Sequence, residues 1–364
     1  MKKSLIAACV SLACVSGAHA QSSVTLTGLV DLYAFSQKLP GQDGRVNGVG
    51  SGGMTTSWFG FTGTEDLGGG LKANFKLTSF QRLDTGTPGR FGGDQFFTRD
   101  ANVGLSGGFG AVTLGRGLAP NFLPTILFNP FGDSFQFSPL VLHKNVGIFS
   151  GAGYASSTPA DTGWSNEVIY TTPTFGGLTV NLHYQFGEQS SSSNNENRKN
   201  LGVNAIYMNG PFALTGYYEH DQVNNYNGNT GANAPMTLIT TAVAGVNVPT
   251  TKKDWLLGGS YDAGFVKGFL TYGQTKTEST NVEYKTTQIG ASAPLGAGKL
   301  LASVADTKID GVAAGATNKR TTATVGYDYF LSKRTDVYAN LMYDRLNSNV
   351  PKGNTVAIGI RHRF

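Results

Sequence analysis

Chemistry in this chain has to come from histidines, carboxylates and cations, because its two cysteines, Cys9 and Cys14, lie within the first twenty residues. Beyond residue 20 the histidines, His143, His183, His220 and His362, are scattered without the spacing of a base beside a nucleophile. No His/Cys/Asp set has metal-ligand spacing. The glycines at Gly50–Gly53 are not followed by the Lys-Ser/Thr of a phosphate loop. Neither catalysis nor a metal or cofactor is expected. What does recur is positive charge at even spacing: Lys72, Lys76 and Arg82 fall on one side of a strand. Charges of one sign along a wetted wall concentrate the opposite ion, and that electrostatic filtering is the chemistry these residues can do.

The elements that carry those residues are strands. Period-two alternation runs through Val24–Leu32 and Leu71–Thr78, and more loosely through Val337–Asp344. Glycine is abundant at 50 residues and aromatics make up 11%, yet charged residues are only 14%, well below the usual quarter. No window after residue 20 is apolar enough for a helical membrane span. A basic Lys2-Lys3 head, an apolar run from Leu5 to Val15 and the small-x-small end Ala18-His19-Ala20 read as a secretory signal cleaved after Ala20. Cleavage would remove both cysteines and lower the formal charge of +5 by two, leaving no case for nucleic acid. Residues 21–364 then form one domain.

Connection lengths decide between a soluble sandwich and a membrane barrel. Seven links are short and turn-rich, at 64–70, 106–110, 173–177, 208–211, 262–265, 293–298 and 331–334. Eight others, mostly longer and polar, lie at roughly 36–54, 83–96, 117–163, 187–199, 221–252, 276–282, 308–318 and 346–353. The two kinds alternate strictly, which makes sixteen antiparallel strands with short turns at one rim and long loops at the other, the pattern of an outer-membrane β-barrel. The last strand, 355–364, places Val356, Ile358, Ile360, His362 and Phe364 on one face and must pair with the first, since an open edge in lipid leaves backbone groups unsatisfied. The loop at 117–163 is the longest and carries Phe122, Phe128, Phe131, Phe135, Phe137 and Phe149, so it is expected to fold into the lumen.

Local motifs are similar to those of the Gram-negative general porins of the betaproteobacterial kind. They are Ser23–Asp31, Gly63–Ala73, Ala101–Leu105, Gly110–Arg116, Thr172–Leu178 and the closing Arg361-His362-Arg363-Phe364. The resemblance spans the chain and implies a homotrimer in the outer membrane, among outer-membrane lipid and lipopolysaccharide, with the third outer loop folded into each lumen. It implies passive diffusion of ions and small hydrophilic solutes. It also assigns Arg99, two positions before Ala101, and Arg116 to the pore lining, and Asp133 of Asn129–Asp133 to the acidic tip of the inner loop. Two departures stand out. Trp58 stands where the family usually has an arginine, and Ile169 where it often has a cation. The expected pore, lined by Lys72, Lys76, Arg82, Arg99, Arg116, Asp133 and Trp58, is therefore more aromatic and less charged than usual, with weak anion preference. A one-residue slip would instead place Trp58 in an interfacial aromatic girdle, where Phe35, Tyr170, Tyr184, Tyr272, Tyr329 and Tyr343 are also expected. Two other readings stay open: a channel specific for an aromatic or organic-acid nutrient, and an adhesin or scaffold whose loops do the work.

Overall fold

The computed structural model describes residues 23–90, 94–145, 162–187, 198–224, 237–243, 246–312, 317–347 and 351–364; the signal read at residues 1–20 lies outside them. The chain begins with β1 (Ser23–Lys38), β2 (Val46–Ser51), β3 (Trp58–Gly68), β4 (Leu71–Arg82), β5 (Asp100–Gly107) and β6 (Gly110–Leu118). After the longest loop come β7 (Gly163–Thr171), β8 (Leu178–Phe186), β9 (Lys199–Asn209) and β10 (Phe212–Asp221). The wall is completed by β11 (Lys252–Asp262), β12 (Lys267–Thr277), β13 (Val282–Leu295) and β14 (Gly298–Asp310). β15 (Lys319–Phe330), β16 (Thr335–Leu346) and β17 (Gly353–Arg363) follow. Each pairs antiparallel with its neighbour, and β1 pairs with β17, so the sheet closes as a sixteen-stave barrel.

The polarity of the barrel is inverted relative to a soluble protein. Val24, Ile289 and Ile358 point outward and are 67%, 64% and 62% exposed, while Thr271, Ser303, Thr322 and Thr324 point inward and are buried. An apolar band of that extent is stable only against lipid. All seven short turns fall where the alternation puts them, and the wall strands flank the longer links as expected except at 36–54.

One stave departs from the expected plan. The upper half of β1 pairs with β2 (Leu32↔Ser51 to Gln37↔Val46) and its lower half with β3 (Ser23↔Thr64 to Leu29↔Trp58), so β2 and β3 together form the second stave. Residues 46–51, expected as loop, belong to the wall, and 52–57 interrupt it. Phe35 is likewise corrected: it shares the inward register of Tyr33, stacks on it at 5.5 Å and packs against buried lumen residues. Tyr184, Tyr272, Tyr329 and Tyr343 are outward and exposed.

At the seam, the Gly28 N–H donates to the Phe364 carbonyl and the Phe364 N–H to the Gly28 carbonyl, both at 3.0 Å. A Cβ at Gly28 would sit 2.5 Å from the Phe364 ring and 2.8 Å from the Trp58 carbonyl oxygen. Only glycine lets the terminal aromatic lie flat against the first strand.

Candidate functional site

The loop after β6 enters the lumen, as its phenylalanines suggest. It carries two short helices, α1 (Phe122–Leu127) and α2 (Pro139–Lys144), and Phe128, Phe131, Phe137 and Leu140 are at most 1% exposed. Its entry is tied to β10, where Glu219 accepts from the Asn121 N–H at 2.8 Å and from its side-chain amide at 3.2 Å. Its exit is tied to the wall beyond. His143 bonds the hydroxyls of Thr307 on β14 and Thr322 on β15, each at 2.8 Å, and Lys144 pairs with Asp254 on β11. Arg320 on β15 donates to Asp344 on β16 at 2.9 Å and to the Leu142 carbonyl at 3.4 Å. Burial, with the Arg320 guanidinium nearby, holds the His143 imidazole well below its ordinary value of 6.5, which suits two neutral hydroxyl partners.

The loop therefore lies against one side of the barrel. Inward residues of β11 to β17 such as Gln288, Ser303, Thr324 and Asn340 are buried beneath or beside it. On the opposite wall, β3 to β8, the inward residues Thr62, Asn74, Asn102, Thr113 and Asn181 remain partly open, and Lys72 and Lys76 are exposed. That wall is the accessible face of the lumen.

The expected pore residues divide over this geometry. Trp58 occupies the inward register, with Leu29 and Phe80 as its Cα partners. The Arg99 guanidinium stacks on its ring at 3.8 Å from the centroid, donates to Asp100 at 2.7 Å and reaches Thr78 at 3.4 Å. Asp133 at the loop tip accepts from the Thr55 hydroxyl at 2.8 Å, and Thr55 in turn accepts from Arg361 at 2.9 Å. Burial holds the Asp133 carboxyl above the usual range, with Thr55, Arg361 and Arg99 acting the other way. Arg99 thus stacks on Trp58 while its charge acts on Asp133, which brings the three residues together beside the tip of the loop.

Lys76 lies one pleat repeat below Thr78, roughly 7 Å toward the short turns, and Lys72 lies lower still, opposite Asp66 in the ladder. Among the described residues no ion pair or hydrogen bond engages either lysine. Arg82 ends β4 in a small hairpin with Thr87, well above this level. Arg116 is a correction. It is the Cα partner of Ala101 and follows Val112 and Leu114 on the outward register, at a bulge where Gly115 takes φ +127°. Its guanidinium bonds the carbonyls of Thr98 and Gly163 and the Ser165 hydroxyl at 2.8 Å, so it braces the root of the loop instead of lining the pore.

Sequence reasoning missed Asp31, Thr55 and Arg361. Asp31 could have been flagged as an acid amid an otherwise apolar strand, but its partners come from residues 53–55 and 338, which no local pattern connects to it. Among the described residues no group of three or more His, Cys, Asp or Glu could hold a metal ion.

Comparison with known proteins agrees with this architecture. The family model described as Gram-negative porin matches residues 6–349. Outer membrane porin protein 32 of Delftia acidovorans is 34% identical over 94% of this chain and 89% of its own length. An outer membrane porin of Bordetella pertussis is 29% identical over the whole of both chains. Among solved structures, the anion-selective porin from Comamonas acidovorans superposes with a TM-score of 0.74 at 27% identity, covering 94% of this chain and all of that one. With the closed barrel, the inverted polarity and the inner loop already established, these matches place the chain in the Gram-negative porin family, as an outer-membrane pore for ions and small solutes.

Proposed function

We propose that the pore passes small hydrophilic solutes non-catalytically, with a modest preference for anions set by Lys76 and Lys72 on the open wall and by Arg99 at the constriction. One observation carries this reading: Lys72 and Lys76 are exposed cations on the open lumen wall, while the acids beside the loop tip are engaged. Asp100 is bonded to Arg99, Asp133 to Thr55, and Glu167 to His183 at 3.3 Å. Asp66 opposite Lys72 offsets part of the positive field, which keeps the preference modest. The relative from Comamonas acidovorans, titled an anion-selective porin, supports the same sign. Zero-current potentials across a planar bilayer in a KCl gradient test the reading; a strong preference for either ion would overturn it.

A solute-specific aromatic slide is disfavoured, because one face of Trp58 is already covered by Arg99. The homotrimer rests on the family likeness, and the mass of the detergent-solubilised complex tests it. Lipopolysaccharide as a lipid partner is supported by Lys285, Lys308 and Lys319, which stand side by side on the outward faces of β13, β14 and β15 next to the long loops. Lys285 is already paired with Glu283 and Asp310, and Lys319 with Asp306, so Lys308 is the member of the row left for a phosphate headgroup of the outer leaflet.

A further inference from the structure

The break in the second stave is turned into the barrel, and it is built around a single acid. Asp31 on β1 is fully buried, and its carboxylate accepts the successive backbone N–H groups of Gly53, Met54 and Thr55 at 3.1, 2.8 and 2.8 Å and the Tyr338 hydroxyl at 2.6 Å. Three consecutive amides around one carboxylate form an anion nest, here filled from within the chain. The backbone of Asp31 fixes the ends of the same turn: its N–H donates to the Ser57 hydroxyl at 2.9 Å, and its carbonyl accepts from the Gly52 N–H at 2.8 Å.

The outer side of this turn holds the inner loop. The Gly53 carbonyl accepts from the Ser134 hydroxyl at 2.6 Å, the Thr55 hydroxyl donates to Asp133 at 2.8 Å, and Met54 packs with Phe131 and Phe137. There is no room for an alternative seat, since a Cβ at Gly53 would meet the Tyr338 hydroxyl at 2.0 Å.

We propose that residues 52–57 are a clasp that fixes the tip of the inner loop, with Asp31 as its positioning residue, so that the second stave of the barrel sets the steadiness of the open pore. The inference rests on the reading of loop 119–145 as the constriction. In this arrangement, loosening the clasp lets the tip leave the wall and occlude the lumen, and the channel flickers and closes at lower voltage while the barrel stays intact.

Single-channel recording of the full-length protein tests this with three variants. The double variant T55V/S134A removes both tip bonds and leaves every ladder bond of the wall. Loss of two ordinary hydrogen bonds shifts the docked-to-released equilibrium roughly thirtyfold, so frequent closures and a lowered closing voltage are expected. T55S, which keeps the hydroxyl, retains the wild-type trace. D31N weakens the nest and behaves like the double variant wherever the heat-modifiable band on a gel shows a folded barrel. A wild-type trace from T55V/S134A would overturn the clasp, as would flicker in T55S equal to that of the double variant. Deleting the tip residues 130–136 separates the two ideas: unchanged conductance would sink the constriction reading, whereas raised conductance alongside a quiet T55V/S134A channel would sink the clasp alone.

Discussion

Lys76 shows how much a single side chain can contribute to this pore. A unit charge about 7 Å from a permeating ion in water is worth close to one RT, so it changes the local anion concentration roughly threefold, and less at high salt. Replacing Lys76 with Glu should therefore move the zero-current potential toward cation preference, with the larger shift in dilute KCl; an unchanged potential would remove Lys76 from the selectivity path. His143 acts on the loop instead of the ion. Its imidazole is held neutral in the folded loop by burial but titrates near 6.5 when released. The unfolded form binds more protons below that value, so docking of the loop is fully supported above about pH 6.5 and weakens as the pH falls beneath it. Closures that multiply between pH 7 and pH 5 in the wild type and lose that dependence in His143→Gln are expected in single-channel records. Lysines at even spacing on a strand were legible as lumen charge from the sequence. Arg116 was not, because the bulge at Gly115 and the outward register it gives Arg116 leave no trace in the order of residues.

At the level of elements, the alternation and the sorted link lengths define the staves, and the structure keeps every short turn. The broken second stave escaped that reasoning because Val46–Ser51 reads as a glycine-rich loop, with its pairing supplied by β1 across the ladder. Phe35 escaped for a related reason: its aromatic type suggests an interface, but its odd position on β1 points it at Tyr33. Between β15 and β16, the fully buried Arg320 bonds Asp344 and reaches the inner loop at Leu142. Removing one member of a buried ion pair leaves the other charge uncompensated, typically at a cost of about 3–5 kcal/mol. Arg320→Ala should lower the urea concentration at which the barrel unfolds and should also unsettle the loop. Unfolding at the wild-type concentration would show that the pair is dispensable.

For the whole molecule, the lumen is divided lengthwise. One side is filled by the loop and its anchors, and on the other Thr62, Asn74, Asn102, Thr113 and Asn181 stay partly open, so ions are expected to run off-centre along β3 to β8. The seam has a consequence of a different kind. Thr27 and Phe364 meet across a sequence separation of 337 residues, so the bond that completes the cylinder joins almost the two ends of the described chain. Contacts of such long range form late and slowly, and until they form both terminal strands present open edges. Folding of this protein should therefore be limited by zippering β1 to β17, with an unsealed sheet as the last long-lived species. Gly28→Val, which obstructs Phe364, should lengthen that final phase of refolding in detergent while leaving the earlier gain of β-structure unchanged. Equal final rates in the variant and the wild type would place the slow step elsewhere. A porin whose inner loop is so firmly anchored thus depends, for its birth, on Phe364 reaching its place against Gly28.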